Sequence, residues 1–366
     1  MLYGNKNQYM GCFVTGATGF MRTKLVEQLV DSGHDAVALT RSRSNASHLS
    51  DEVMVVEGDI TDKESMRGSM TGVDNLFHMA AFHMAAWWFI GPGPRERKRA
   101  QRINVEGTRN VPELMDEFHV PKGVYTSTVG VYGTTDGEVV DESFRPDESS
   151  LFVYVQTKWR AHYEVAKPMM DNGFPLVIIQ PGLVYGPGDK GYGSLREVFV
   201  NWLQGDLPML PRQAALPYAH VDDTVRGHLR AMEAGKGGEE YIISNEPRQV
   251  VEGFEIAEEI TGVSAPRSVS PLWFKLLERV MALAGWVTTP LEGFEPEKIH
   301  TYGVTELLVD NSKAREELGI DPRPLKEGLR EFLEWEMEQL GMEAWTTSKT
   351  PQPDTFDGVP LNTTHC

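Results

Sequence analysis

Cysteine, long apolar runs and positive charge are the features in which this 366-residue sequence is poor. Cysteine occurs only at Cys12 and Cys366, so we expect no disulfide framework and predict a reducing, cytoplasmic location. The sequence contains no run of about 18 apolar residues, so we expect no membrane-spanning helix. The opening segment MLYGNKNQYMG has no apolar core, which argues against a secretory signal.

The shortage of positive charge excludes two classes of partner. Lys and Arg number 35 against 53 Asp and Glu, which gives a formal net charge of −18. Nucleic acids and anionic membranes are bound through clustered Lys and Arg, so neither is expected here. The acidity fits a soluble cytoplasmic protein or one adapted to high salt, and the charge alone does not decide between them. We predict no metal site.

Short apolar strands alternate with helical segments from about residue 10 to residue 182. This order predicts an α/β fold with a doubly wound parallel sheet covered by helices on both faces. Residues 216–246 add one more helix and strand to that domain. Residues 183–215 and 247–342 are assigned to a smaller, mostly helical substrate-binding lobe. The polar, Pro-rich residues 343–366 are predicted to be a disordered tail.

A glycine-containing turn follows the first strand. The segment TGATGFMRTKL, residues 15–25, carries glycines that permit a tight turn and let N–H groups approach a pyrophosphate at a helix N-terminus. Four residues of this turn are assigned to cofactor binding: Gly16, Thr18, Gly19 and Phe20. Arg22 occupies the place of a third small residue. Its side chain either swings outward or brings its guanidinium near the phosphates.

The end of the second strand predicts the cofactor. It reads LTRSRS, with Thr40 where an acid would bind the 2′-hydroxyl of NAD. Arg41 and Arg43 follow and could hold a 2′-phosphate, so NADP(H) is preferred and NAD(H) is the alternative. Two solvated surface arginines would give the same pattern. Asp59 and Ile60, after the third strand, are also assigned to the cofactor, with helix capping as the alternative role for Asp59.

Two Tyr/Lys pairs with a spacing of four occur on one predicted helix. A lysine beside a phenol lowers the phenol pKa, so such a tyrosine can exchange a proton during hydride transfer. The pairs are Tyr154/Lys158 and Tyr163/Lys167. They lie on opposite faces at ~3.6 residues per turn, so both cannot face one cofactor. We choose the first pair, because the second leaves too little chain for a full helix before the next strand.

Eight segments extend this pattern: TGATGF, GDITD, HMAA, NVEGTRNV, YTSTVGVYG, YVQTK, QPGLVYGPGD and YAHVDD. In this order the chain resembles the extended short-chain dehydrogenases/reductases over roughly residues 10–335. That superfamily includes dihydroflavonol-reductase-like enzymes, 3β-hydroxysteroid dehydrogenases and sugar-nucleotide epimerases. The resemblance implies a Rossmann-type fold and a homodimer, and it does not specify the substrate.

The resemblance also implies residue roles. Tyr154 is the general acid/base, and Lys158 holds the nicotinamide ribose and tunes the tyrosine. Thr128 polarises the substrate carbonyl, with Ser127 as the neighbour that could replace it. Asn104 supports the site from its helix. The remaining cofactor-lining residues are Ala80, Ala81 and Pro181.

The sequence departs from the superfamily pattern beyond Arg22. Gln180 stands where arginine commonly precedes the Pro-Gly pair. The segment after the fourth strand contains Trp87, Trp88 and Phe89, which form either a substrate-pocket wall or ordinary core. Asp222 is expected to cap the helix that follows it.

These observations predict an NADP(H)-dependent oxidoreductase that transfers a hydride between nicotinamide and a small carbonyl or alcohol substrate. One alternative is a sugar-nucleotide epimerase or dehydratase with tightly bound NAD. The other is a non-catalytic NADP(H)-binding sensor or scaffold, which the unusual Arg22 motivates.

Overall fold

The computed structural model describes residues 11–82, 94–146, 148, 151, 153–189, 195–207, 209–270, 272 and 306–342, without the side chains of residues 153 and 154. The strands are β1 Gly11–Thr15, β2 Asp35–Thr40, β3 Met54–Glu57, β4 Asn75–His78, β5 Lys122–Thr126, β6 Val139–Val140, β7 Leu176–Pro181, β8 Leu183–Tyr185, β9 Met209–Pro211, β10 Ala215–Leu216, β11 Tyr218–His220, β12 Glu240–Ile243, β13 Arg248–Gln249, β14 Arg267–Val269 and β15 Leu308–Val309.

The α-helices are α1 Phe20–Asp31, α2 Lys63–Arg67, α3 Pro94–Ala100, α4 Gly107–Glu117, α5 Val153–Arg160, α6 Lys167–Asp171, α7 Leu195–Leu203, α8 Val221–Glu233, α9 Val250–Thr261, α10 Ser312–Leu318 and α11 Leu325–Gln339. Two π-helical stretches, Gln101–Glu106 and Ala161–Ala166, join α3 to α4 and α5 to α6. No helix in the described part of the chain is both long and apolar enough to cross a membrane.

Seven strands form one parallel sheet in the order β3-β2-β1-β4-β5-β7-β12. The predicted Rossmann-type parallel sheet is therefore confirmed. The strand order reverses between β1 and β4, and such a switch point opens a crevice at the carboxyl ends of the strands. The glycine turn follows β1, and the segment HMAA ends β4, so both reach this crevice.

Apolar residues cover both faces of the sheet. On one face, Leu25 and Leu29 of α1 share a buried cluster with Val225 of α8. On the other face, Val111 and Leu114 of α4 belong to a second buried cluster. Their helical spacing puts these side chains on the inner side of each helix, which explains why the helices dock on the sheet.

A separate hydrophobic cluster joins α7, α9 and α11. The rings of Phe199 and Phe254 stack with centroids 4.6 Å apart, and Phe332 packs against Phe199. Ala314 and Leu318 of α10 instead pack with the sheet, although the sequence assigned this range to the smaller lobe. The proposed domain boundaries as a whole stay a prediction.

The expectation that Asp222 caps α8 is wrong. The residue that precedes this helix is His220, whose Nδ1 accepts a hydrogen bond from the N–H of Asp222 at 3.2 Å. Asp222 lies within the first turn of the helix instead. It pairs with Lys24 at 2.8 Å and with Arg323 at 3.4 Å.

Candidate active site

The glycine turn packs tightly against the end of β4. Gly16 has a φ of +70°, and a Cβ at this position would lie 2.9 Å from Cα of Ala80. Both the conformation and the close approach favour glycine. Thr18 and Phe20 are half-buried in the same turn. The turn therefore brings its backbone close to the crevice at the switch point.

Hydrogen bonds to the Thr15 hydroxyl hold the segment that follows β4. Its Oγ1 accepts from the N–H groups of Met79, at 3.1 Å, and Ala80, at 3.0 Å. The two ring nitrogens of His78 contact Thr15, at 2.9 Å, and Thr108, at 3.1 Å. Burial lowers the pKa of His78 to about 3, so the ring is neutral and acts as a fixed link between β1, β4 and α4.

Asn104 clamps this segment to the helix that carries the chosen Tyr/Lys pair. Its side chain accepts from the N–H of Phe82 at 2.7 Å and donates to the carbonyl of Phe82 at 3.2 Å. It also donates to Oγ1 of Thr157 at 2.9 Å. Ala80 and Ala81, predicted to line the cofactor, are half-buried just before the clamped residue.

Lys158 is buried beside the end of β5. Its Nζ donates to the carbonyl of Thr126 at 2.8 Å and to the hydroxyl of Tyr125 at 3.1 Å. Burial, together with the charge of Arg22, lowers the pKa of Lys158 to about 7. Tyr154 stands one helical turn earlier in α5, and its side chain lies outside the described part of the structure.

Thr128 and Ser127 point to different partners. Oγ1 of the half-buried Thr128 accepts a hydrogen bond from the N–H of Gly130 at 3.1 Å and caps a short 3₁₀ turn. Ser127 is buried, and its Oγ lies 2.8 Å from Nδ1 of His162. The hydroxyl of Ser127 is therefore already engaged within the core. The segment that holds Thr128 continues from the carboxyl end of β5, as a site at the crevice requires.

This architecture matches one family model. The model of the NAD dependent epimerase/dehydratase family covers residues 12–244. The chain belongs to this family. A Synechocystis protein named "Putative dihydroflavonol 4-reductase" is 31% identical over 336 residues, which cover 88% of this chain and 93% of the relative. The chain is thus one of the family's NAD(P)-dependent enzymes.

Two further proteins extend the comparison. The 3-beta-hydroxysteroid dehydrogenase of Mycolicibacterium neoaurum is 27% identical over 326 residues, covering 84% of this chain and 86% of that one. The crystal structure of UDP-glucose 4-epimerase from Thermotoga maritima superposes with a TM-score of 0.70 over 90% of this chain and 100% of that one. At 24% identity, the epimerase shows a shared fold alone.

In this family member the second Tyr/Lys pair makes other contacts. The hydroxyl of Tyr163 donates to the carbonyl of Phe144 at 3.0 Å. Lys167 pairs with the buried carboxylate of Glu240 at 2.8 Å. Tyr163 lies within the π-helical stretch and Lys167 follows it directly, and both side chains are occupied away from the end of β5.

A carboxylate from β3, which the sequence analysis missed, lies near the carboxyl end of β2. Thr40 is buried and donates to the carbonyl of Ser42 at 3.1 Å, while Arg41 is exposed. The carboxylate of Glu57 accepts from the backbone N–H of Arg43 at 2.7 Å. Glu57 comes from β3, opposite Thr40 in the sheet register. This neighbour becomes visible only when the two strands are paired. The sequence motif on β2 therefore could not predict it.

The predicted adenine-side residues lie in the turn after β3. Oδ1 of Asp59 accepts from both the N–H and the hydroxyl of Thr61, at 2.9 Å each. Helix α2 is capped by Asp62, so the capping alternative for Asp59 is wrong. Ile60 is buried, and its carbonyl accepts from Asn110 at 2.9 Å. Pro181, also assigned to the cofactor, is buried as the last residue of β7.

The residues of the crevice fit a dinucleotide. Gly16 and Gly19 have no side chains of their own that would keep a pyrophosphate from the backbone of this turn. The N-cap Gly19 makes no side-chain capping bond, and the first turn of α1 contains no acid, so its N–H groups and positive helix end suit an anion. Lys158 lies beside the same crevice. Trp87, Trp88, Phe89 and residues 343–366 lie outside the described residues.

Proposed function

We propose that this family member is an NADP(H)-dependent oxidoreductase acting on a small carbonyl or alcohol substrate. When bound, the nicotinamide supplies or accepts the hydride at its C4. The protein's own part is to bind the dinucleotide, orient the substrate and move one proton.

The observation that carries the proposal is the buried side chain of Lys158 at the end of β5. Its two hydrogen bonds, to Thr126 and Tyr125, fix Nζ at the end of β5. Tyr154 precedes it by one helical turn. A protonated lysine one helical turn from a tyrosine favours the phenolate form, which lowers the tyrosine pKa toward the working range of a general acid/base.

The other residues act as supports. Thr128 offers a hydroxyl that can donate to the substrate oxygen as charge develops there. Asn104 ties the segment after β4 to α5 and so keeps the cofactor wall and the Tyr154 helix in fixed relation. The named activities of the relatives at 31% and 27% identity, a reductase and a dehydrogenase, support oxidoreduction.

A sugar-nucleotide epimerase or dehydratase is the second candidate, and Glu57 favours it. A carboxylate near the end of β2 suits the free 2′-hydroxyl of NAD and repels a 2′-phosphate. Arg41, exposed at the same strand end, favours the opposite choice.

The decisive experiment compares Tyr154→Phe with Tyr163→Phe. A panel of aldehydes, ketones and nucleotide sugars is first assayed with NADPH and NADH to find a substrate. Tyr154→Phe should then lower turnover by about 10²–10⁴-fold, because the phenol hydroxyl alone carries the proton. NADPH should still bind.

Tyr163→Phe is the matched control. Its hydroxyl serves the carbonyl of Phe144, so turnover should change little while stability falls. If Tyr163→Phe abolished turnover and Tyr154→Phe did not, the assignment would be wrong. Turnover of a nucleotide sugar without net cofactor change would favour the epimerase. Binding of NADPH with no turnover of any panel member would favour the sensor.

We also propose that the protein is a cytoplasmic homodimer that binds neither nucleic acid nor membrane. The family resemblance supports the dimer, and the net charge of −18 supports the absence of polyanionic partners. Light scattering of the purified protein tests the dimer, and a monomer at micromolar concentration would contradict it.

A further inference from the structure

Arg22 lies in the first turn of α1, and its side chain folds back over the N-cap residue. A Cβ at Gly19 would lie 3.0 Å from Cζ and 3.2 Å from Cδ of Arg22, and it would overlap Nη1. The guanidinium therefore covers the open side of Gly19. The outward orientation that the sequence left open is not the one adopted.

This open side has a specific use in dinucleotide-binding turns. The second glycine lacks a side chain so that the pyrophosphate can approach the backbone at the helix N-terminus. Helix α1 is 12 residues long, and its first turn contains no acid. A guanidinium at this place adds a full positive charge to the partial charge of the helix end.

The charge of Arg22 also acts on two residues outside its own helix. Burial lowers the pKa of Lys158 most, and the charge of Arg22 lowers it further. Burial and then the charge of Lys158 lower the pKa of His78, and Arg22 adds a smaller effect. A phosphate bound at the start of α1 would therefore meet the charge of Arg22 as well as the helix N-terminus.

We propose that Arg22 is a ligand of the cofactor diphosphate, replacing the close packing of a third glycine with a charge-assisted clamp. The inference rests on the dinucleotide binding of the proposed function. Planar guanidinium groups bind phosphate oxygens through two parallel N–H bonds, and this geometry suits a diphosphate. The guanidinium moves off Gly19 as the phosphate arrives and pairs with it.

The test measures dissociation constants by calorimetry for NADPH, NADH, ADP-ribose and adenosine 2′-monophosphate. The first three contain the diphosphate, and the last does not. Arg22→Gln should weaken the first three alike, by about tenfold or more, and leave the last within about twofold. Arg22→Lys should retain most of the binding, since it keeps the charge. Higher salt should reduce the difference between the parent and Arg22→Gln.

Arg41→Ala is the matched control, since Arg41 is an exposed arginine directly after the neighbouring strand β2. If it holds the 2′-phosphate, it should weaken NADPH and adenosine 2′-monophosphate and leave NADH unchanged. Unchanged melting temperatures in the absence of nucleotide show that the variants are folded. The roles of the two arginines would thus be distinguished by which ligands each variant binds less tightly, without an activity assay.

Three results would contradict the role of Arg22 or the proposed function on which it rests. If Arg22→Gly or Arg22→Gln bound NADH as tightly as the parent or more tightly, the guanidinium would be an obstacle and the inference would be overturned. Binding that depends on Arg22 in a protein without turnover would overturn the oxidoreductase proposal and keep this one. A parent protein that binds none of the three diphosphate ligands would overturn both.

Discussion

Ser127 and His162 form a buried pair, with Oγ 2.8 Å from Nδ1. On the other side of the ring, Nε2 lies 2.9 Å from the Glu240 carboxylate, although at an angle outside good hydrogen-bond geometry. Burial raises the pKa of Glu240, but contacts with His162 and Lys167 outweigh it and hold that pKa below its usual value. Because a carboxylate only accepts, the ring proton belongs on Nε2, and Nδ1 accepts from Ser127.

This pairing predicts that removing the hydroxyl of Ser127 affects mainly stability, whereas removing the adjacent hydroxyl of Thr128 affects mainly turnover. Ser127→Ala leaves a buried ring nitrogen without its donor, which should cost about 1–3 kcal/mol of stability and leave turnover within a few fold. Thr128→Ala removes the cap of the 3₁₀ turn, which should cost about 1 kcal/mol of stability, and should lower turnover by roughly 10²-fold. Thr128→Ser should preserve turnover. Urea unfolding and steady-state kinetics measure the two effects, and a large loss of turnover in Ser127→Ala would make Ser127 the functional hydroxyl.

Lys158 should make the stability of the cofactor-free protein depend on pH. Its pKa is about 7 in the folded protein, against 10.5 for an ordinary lysine, so the unfolded chain binds more protons between these values. Stability should therefore rise with pH from about 7, by at most about 1.4 kcal/mol per pH unit, and level off near the ordinary value. Below pH 7 Lys158 is protonated in both the folded and the unfolded state, so the cost of burying its charge no longer changes with pH.

The comparison variant is Lys158→Met, which keeps the length of the side chain and removes the charge. Unfolding of both proteins is measured between pH 6 and 9.5, because the buried tyrosines titrate above that range. The parent should approach the variant in stability as the pH rises. Parallel curves for the two proteins would show that Lys158 is not desolvated in solution.

The sequence predicted the parallel sheet, because the order of strands and helices depends on local patterns. It also named Lys158, from its spacing to Tyr154. Alternating apolar segments fix the elements, and the Tyr/Lys spacing fixes one face of α5. Asn104 could likewise be named from its motif. Its hydrogen bonds to Phe82 and Thr157, however, appear only when α3, α4 and α5 are packed together.

Contacts between segments that are distant in the chain could not be predicted from the sequence. Glu57 approaches the backbone of Arg43 because β3 pairs with β2 in one register. His162 meets Glu240 because β12 lies beside β7. The orientation of Arg22 depends on a choice among side-chain rotamers, which no spacing of residues encodes.

Cofactor preference should depend on two residues of opposite charge, Arg41 after β2 and Glu57 at the end of β3. We expect the parent to bind NADPH more tightly than NADH. Arg41→Ala should weaken NADPH by about tenfold and leave NADH unchanged, since only the 2′-phosphate is affected. Glu57→Gln should strengthen NADPH, because it removes a repelling carboxylate near the same position. Arg315→Ala, an exposed arginine on α10 that pairs with Asp321, is the control.

Fluorescence titration of both nucleotides measures these affinities. Equal affinity of the parent for NADPH and NADH, with no effect of Arg41→Ala, would remove the argument for NADP(H). Tighter binding of NADH that is lost in Glu57→Gln would identify Glu57 as the residue that selects NAD.

The acidic excess should make stability rise with salt. The 18 unmatched negative charges repel one another across the surface, and the Debye length falls from ~10 Å at 0.1 M to ~3 Å at 1 M. Surface ion pairs such as Lys326–Glu259 weaken under the same screening, but exposed pairs contribute only ~0–1 kcal/mol each. If repulsion dominates, NaCl should raise the melting temperature, by about 2–4 °C for each ~1 kcal/mol relieved.

The same titration near the isoelectric point of about 5.0 is the control, because the net charge there is close to zero and the rise should disappear. A melting temperature independent of NaCl at pH 7 would mean that the carboxylates are too well solvated to repel, and would leave ordinary solubility as the reason for the acidity.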